Sequence, residues 1–249
     1  MSQPRELFIA GSPDDLARAA AGRLMEAAHE AIAARGRFSV ALSGGSTPRR
    51  LYQLLTQPPW SQGIDWSRVH LFFADERFVP HDDPESTVRL VRETLLAGAP
   101  VPDANFHAMP TEGGTPEVCA ARYEAGLREF FGAEEPALDV VLLGMGPDGH
   151  TASLFPGHPP APGLVASVHD SPKPPPTRLT LTYSAIRAAR EVWFLVTGAD
   201  KAITLEQVFR SSPEDDQALP AARVHARDGR SLWLVDREAG AALLDYASL

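Results

Sequence analysis

Asp139-Val140-Val141-Leu142-Leu143-Gly144-Met145-Gly146-Pro147-Asp148-Gly149-His150 is the stretch on which the fold turns. Its first half is a near-continuous apolar run, the pattern of a strand covered on both faces rather than one with a wet side. Its second half is a glycine turn that ends in polar side chains. Strands of this kind belong to parallel sheets, whose crossovers are helices, and the flanking sequence alternates accordingly. Further strands are predicted at Leu7–Ala10, Phe38–Ser43, Val69–Ala74, Arg178–Tyr183, Val192–Thr197 and Ser231–Asp236, with a short β-like run at Leu164 to His169.

Helices are predicted between them. Ser12-Pro13-Asp14-Asp15 reads as a hydroxyl cap, a proline in the first turn and carboxylates at the positive end, opening a helix that runs to about Arg35. Thr47-Pro48 opens another by the same logic, and others are expected at Ser86–Ala97, Pro116–Phe131, Asp200–Arg210 and Arg237–Asp245. The predicted fold is therefore α/β: one Rossmann-like, doubly wound, mostly parallel sheet with helices on both faces. Residues 1–249 are expected to form a single domain. Two proline-rich stretches, Pro156 to Pro162 and Ser171 to Pro176, read as ordered loops, either over a site or linking two domains.

Composition narrows the function. Of 249 residues, 44% are hydrophobic and 22% charged, which excludes disordered and fibrous classes. The formal charge of -9 disfavours nucleic acid and anionic membrane as partners, so an anionic ligand needs a local pocket. The single cysteine, Cys119, forms neither an internal disulfide nor a thiolate cluster. The polar start of the chain and the lack of an apolar span of about 18 residues make the cytoplasm the expected location. No cofactor is called for.

Ligands of open parallel sheets bind beyond the carboxyl ends of the strands, so the residues just after each strand carry the functional reading. Ser43-Gly44-Gly45-Ser46-Thr47-Pro48 follows the second strand and opens a helix. Glycines let backbone amides approach a ligand, and the hydroxyls and the helix N-terminus favour a phosphate. The plain alternative is a capped glycine turn. Asp75-Glu76-Arg77 ends the third strand; it reads as an internal salt bridge or, through the planar fork of Arg77, as an anion site.

The sharpest cluster is Gly144 to Phe155, where Gly146 and Gly149 flank Asp148 and His150 stands at the turn's end. Histidine titrates near neutrality and can take a proton from water, and a nearby carboxylate can orient it. Its alternative role is a hydrogen-bonded capping residue. No HxH or HxxxH pattern occurs, so a metal is not expected. Only two of the 23 basic residues are lysines: Lys201, in Thr197-Gly198-Ala199-Asp200-Lys201, and Lys173, upstream of Arg178 in a proline loop. A lysine kept in so arginine-rich a chain hints at a required compact ammonium; solvated loop cations are the alternative.

With these residues quoted, the chain resembles the glucosamine-6-phosphate isomerase/6-phosphogluconolactonase family from about Leu7 to Leu234. Leu42 to Pro48, Asp75-Glu76-Arg77-Phe78-Val79-Pro80 and Gly144 to Gly157 carry the resemblance. Thr151-Ala152-Ser153-Leu154-Phe155-Pro156-Gly157 and Asp75-Glu76-Arg77 resemble the lactonase branch; a sugar-phosphate deaminase/isomerase of the glucosamine-6-phosphate type is the alternative. Glu85-Ser86-Thr87-Val88 departs from the Asp-Ser-Asn-Tyr often found there. The resemblance implies metal-independent hydrolysis of 6-phospho-D-glucono-1,5-lactone, with His150 as general base and Asp148 orienting it. It places substrate contacts at Ser43, Gly44, Gly45, Ser46, Thr47, Asp75, Arg77, Gly146, Arg178 and Lys201. The expected partner is the small sugar-phosphate lactone, bound by a monomer or weak homodimer.

Overall fold

The computed structural model describes residues 5–132 and 136–243. In chain order the elements are β1 (Arg5–Ala10), α1 (Pro13–Arg35), β2 (Phe38–Leu42), α2 (Ser46–Leu55), α3 (Trp60–Gly63), β3 (Val69–Phe73), β4 (Asp75–Arg77), α4 (Thr87–Thr94), α5 (Pro116–Phe131), β5 (Val140–Leu143), β6 (Val165–Val168), β7 (Arg178–Leu181), α6 (Tyr183–Arg187), β8 (Glu191–Val196), α7 (Ala202–Arg210), α8 (Pro220–Arg223) and β9 (Arg230–Asp236). Among them, six strands form one sheet in the order β1-β9-β8-β5-β2-β3, with every pairing parallel. The predicted α/β architecture is the one found.

The apolar runs are buried for the expected reason. Every residue of β2 and β5 is inaccessible, because helices cover both faces. In β8 and β9, Phe194 stacks on Trp233 at 3.8 Å between ring centroids, filling the layer under α7. Helix α1 lies close against the sheet because its inward face is largely alanine: Ala17, Ala20, Ala21, Ala28 and Ala31 are all buried. Its ends follow the sequence signals. Ser12 Oγ accepts from the Asp15 amide, and Gly36 takes the left-handed conformation (φ 75°) that closes the last turn.

Three expectations are corrected. The run predicted at Arg178–Tyr183 lies outside the main sheet: β7 is the centre of a second, antiparallel sheet ordered β4-β7-β6. The chain leaves β3 at Ala74, whose carbonyl accepts from the Leu181 amide, and β4 pairs with β7 so that Arg77 stands opposite Arg178. The helix expected over Ser86–Ala97 ends at Thr94. No helix fills residues 237–243, where a turn and a short 3₁₀ segment, Ala241–Leu243, stand instead. There Asp236 accepts from the Ala239 and Gly198 amides and binds the segment down as a turn; residues 244 and 245 of that prediction lie outside the described part. Among the described residues no helix is long and apolar enough to cross a membrane.

Candidate active site

The parallel register brings the carboxyl ends of β2, β3, β5 and β8 to one edge of the sheet. There, under the small sheet, lies a cleft of about 330 Å³. All of the sequence-predicted binding residues and His150 line it, and Asp148 sits directly behind His150.

The first wall is the β2–α2 turn. Gly45 has φ 113°, a conformation that side-chain-bearing residues avoid, and it precedes α2 without any side-chain cap; the hydroxyl cap expected at Thr47 does not form, because Thr47 lies within the first turn and its hydroxyl meets Thr197 instead. The first-turn amides of a ten-residue helix therefore face the cleft with no side-chain acceptor of their own. Gly44 needs its lack of a side chain for another reason: a Cβ there would stand 2.9 Å from Thr87 Oγ1 and 3.6 Å from an Arg77 terminal nitrogen. Thr47 and Thr197 join hydroxyls at 2.7 Å, linking the ends of β2 and β8. Ser43 borders the cleft with its groups already engaged. Its hydroxyl donates to the Leu142 carbonyl, and the Tyr52 hydroxyl meets both its amide and its carbonyl.

The second wall is β4, where the internal salt bridge considered from sequence does not form. Glu76, fully buried, instead accepts from the amides of Arg77, Thr87 and Val88 and from the Ser86 hydroxyl. It is the anchor of the α4 N-terminus. Burial raises its pKa and those four hydrogen bonds pull it back only in part. Asp75 accepts from the Ser153 hydroxyl at 2.8 Å. Arg77 donates to the Glu85 carbonyl, while its Nε, like Thr87 Oγ1, is buried with no hydrogen-bond partner. Unmet polar groups beside a cleft mark a place where a polar ligand or its reorganisation has something to offer.

The third wall is the β5 turn. His150 Nδ1 meets Asp148 Oδ1 at 2.5 Å, and the turn closes by the Gly149 amide on the Gly146 carbonyl and the Gly146 amide on the His150 carbonyl. In the tautomer that donates Nδ1–H to the carboxylate, Nε2 keeps its lone pair. Burial lowers the His150 pKa most, Lys173 lowers it further, and Asp148 and Asp75 oppose them; the net position is below the ordinary histidine value. Asp148 is held below its usual range: burial would raise it, but its hydrogen bond and charge contact with His150 prevail.

Four cations border the cleft in a chain of net charge -9: Arg77, Arg178, Lys173 and Lys201. Lys201 is paired with Asp200. Lys173 is the surprise: its proline loop carries it into the cleft with Pro174, so the reading of that loop as cover for a site holds for Ser171 to Pro176. Among the described residues no group of three or more His, Cys, Asp or Glu side chains is placed to hold a metal ion.

The fold and cleft define a class: an α/β protein whose sheet edge carries a cleft lined by four cations, an uncapped helix start and one histidine paired with a carboxylate. The family model of glucosamine-6-phosphate isomerases/6-phosphogluconolactonase matches residues 11–233. The chain is 41% identical to 6-phosphogluconolactonase of Streptomyces coelicolor, across 98% of this chain and 96% of that one. It is 42% identical to 6-phosphogluconolactonase of Mycobacterium tuberculosis, across 98% and 99%. The solved structure of 6-phosphogluconolactonase from Trypanosoma brucei superposes with a TM-score of 0.83 at 27% identity, covering 97% of this chain and all of that one. The chain belongs to the glucosamine-6-phosphate isomerase/6-phosphogluconolactonase family.

Proposed function

We propose that this chain hydrolyses 6-phospho-D-glucono-1,5-lactone to 6-phospho-D-gluconate, with His150 as general base and without a metal ion. The observation that carries the reading is the Asp148–His150 pair, 2.5 Å apart, lining a cleft rich in cations and uncapped helix amides. His150 Nε2 takes a proton from water as the water oxygen attacks the lactone carbonyl. The resulting tetrahedral oxyanion collapses, the bond from the carbonyl carbon to the ring oxygen breaks, and that oxygen takes the proton back from the imidazolium. Asp148 holds the ring in one tautomer and steadies its transient positive charge. The amides of Gly44 to Thr47, with Arg77, Arg178 and Lys201, supply the positive field for the phosphate and the developing oxyanion.

Residues 1–249 act as one domain in this reading, cytoplasmic, as a monomer or weak homodimer. The test is hydrolysis of freshly generated lactone at near-neutral pH, coupled to 6-phosphogluconate dehydrogenase, with the unaided ring opening subtracted. A rate that survives chelator and falls ~10²–10⁴-fold in His150→Ala is expected. Near-normal turnover in that variant would remove His150 from the chemistry. Ammonia release from glucosamine-6-phosphate would replace the lactonase reading with the deaminase one.

A further inference from the structure

Five residues, Pro172-Lys173-Pro174-Pro175-Pro176, contain four prolines, and therefore only one backbone amide. A loop of this composition has almost no means of hydrogen-bonding to itself, so its carbonyls need donors from elsewhere. Most of those donors come from one side chain. Arg178 Nε donates to the Pro175 carbonyl at 3.1 Å, and one terminal nitrogen donates to the Lys173 carbonyl at 3.0 Å and the Pro174 carbonyl at 3.4 Å. Ser171 completes the frame: its hydroxyl donates to the Lys173 carbonyl and accepts from the Lys173 amide, and its own amide donates to the Pro176 carbonyl.

The loop held in this way points one group at the cleft. Lys173 lines it together with Asp75 and His150, and among the described residues no carboxylate lies within ion-pair distance of its ammonium. The chain's other lysine, Lys201, is by contrast tied to Asp200. Arg178 is itself buried, with three of its donor contacts committed to loop carbonyls.

We propose that Arg178 is a positioning residue: its guanidinium staples the Ser171–Pro176 loop so that Lys173 is the cation presented to His150 and to the lactone. The proposal rests on the hydrolysis proposed above and divides its positive field between a staple and the group it delivers. A lysine at 178 would keep the charge, but its single nitrogen cannot reproduce the two-nitrogen reach across Pro175 on one side and Lys173 and Pro174 on the other.

The test reads His150 directly. Its neighbours are Asp148 on the same turn, Asp75 on β4 and Lys173 on the loop, with Arg77, Arg178 and Lys201 also lining the cleft. In full-length protein with isotopically labelled histidine, and His150→Gln to assign the signal, the titration midpoint of His150 is followed by NMR. Lys173→Met should raise the midpoint, because a cation has gone. Arg178→Lys should raise it as well although the charge at 178 remains, and the double variant should go no further than Lys173→Met alone.

In the lactone assay each single variant should lose roughly 10- to 100-fold in kcat/KM, the worth of a hydrogen bond to a charged group. The double should lose no more than about twofold beyond the worse single, since coupled residues do not add. A wild-type midpoint in Arg178→Lys, or losses that multiply in the double, would overturn the proposal. Should Arg178→Lys fail to fold, Ser171→Ala loosens the same frame and should raise the midpoint too; an unmoved midpoint there overturns the proposal equally. The titration needs no turnover: midpoints that move in a chain without lactonase activity leave the staple standing and remove the proposed reaction.

Discussion

Gly146→Ala isolates the geometry of the Asp148–His150 pair from everything else in the fold. The backbone at Gly146 is not in the left-handed region, so alanine meets no conformational penalty there. What it meets is the pair itself: a Cβ would stand 2.1 Å from His150 Nδ1, 2.2 Å from Cε1 and 2.5 Å from Asp148 Oδ1. Real Cβ contacts essentially never fall below 3.0 Å, so the imidazole must retreat by about 0.9 Å or leave its carboxylate. A displacement of that size at a reacting group costs on the order of 10²-fold. We expect kcat to drop by about that factor with KM little changed, because the α2 amides and Arg77 lie on other walls of the cleft. The assay is the coupled lactone reaction run beside thermal melts. Gly126→Ala serves as control: exposed in α5 with open space around its Cβ, it should gain about 0.5–1 kcal/mol of stability and keep its activity. A Gly146→Ala enzyme with wild-type kcat and an unchanged melt would show that the pair does not carry the chemistry.

Since the His150 pKa lies below the ordinary value of about 6.5, its basic form persists as pH falls through that value, and kcat/KM should hold level until the medium is more acidic than a free histidine would allow; an acid limb at or above about 6.5 would contradict this. Glu76→Ala leaves the Thr87 and Val88 amides and the Ser86 hydroxyl without their buried acceptor, and urea unfolding should show a loss of about 2–4 kcal/mol. His107, stacked on Phe72 and depressed by burial to about 4, binds its proton more readily when unfolded. Between about 6.5 and 4 the unfolded chain holds more protons, so stability falls as pH falls through that window, and His107→Phe should flatten the decline in melts taken at pH 7 and pH 5.

Much of the architecture is legible in the sequence because the physics is local. The near-continuous apolar runs of β2 and β5 read as strands with both faces covered, the Ser12-Pro13 opening marks where α1 begins, and α5 is found over the expected Pro116–Phe131. The three-residue β4 is not legible: Asp75-Glu76-Arg77 has no strand pattern, and its conformation comes from pairing with β7 about a hundred residues later. The division between Asp75 and Glu76, one lining the cleft and the other sealed under α4, comes from the resemblance alone and not from the local pattern, since it depends on where α4 lands. Ser43 lines the cleft as expected, with its hydroxyl already engaged. A hydroxyl beside two glycines reads as a ligand donor, yet the neighbouring strand offers it the Leu142 carbonyl first. Lys173 is visible only as a loop cation until Arg178 folds the loop inward.

The antiparallel register that sets Arg77 opposite Arg178 places like charges face to face across β4 and β7, and each lines the cleft. Such a cross-strand pair opposes folding of the small sheet. On the reading proposed above, a phosphorylated ligand in the cleft brings negative charge near both arginines and offsets that repulsion without displacing Arg178 from the loop carbonyls, so ligand affinity and the local opening free energy of β4-β7-β6 become one thermodynamic cycle. The small sheet is then the part of the molecule that a phosphorylated ligand consolidates most. Amide exchange there should slow on saturation with 6-phosphogluconate, while the exchange of β2, β5 and β8 stays where it was.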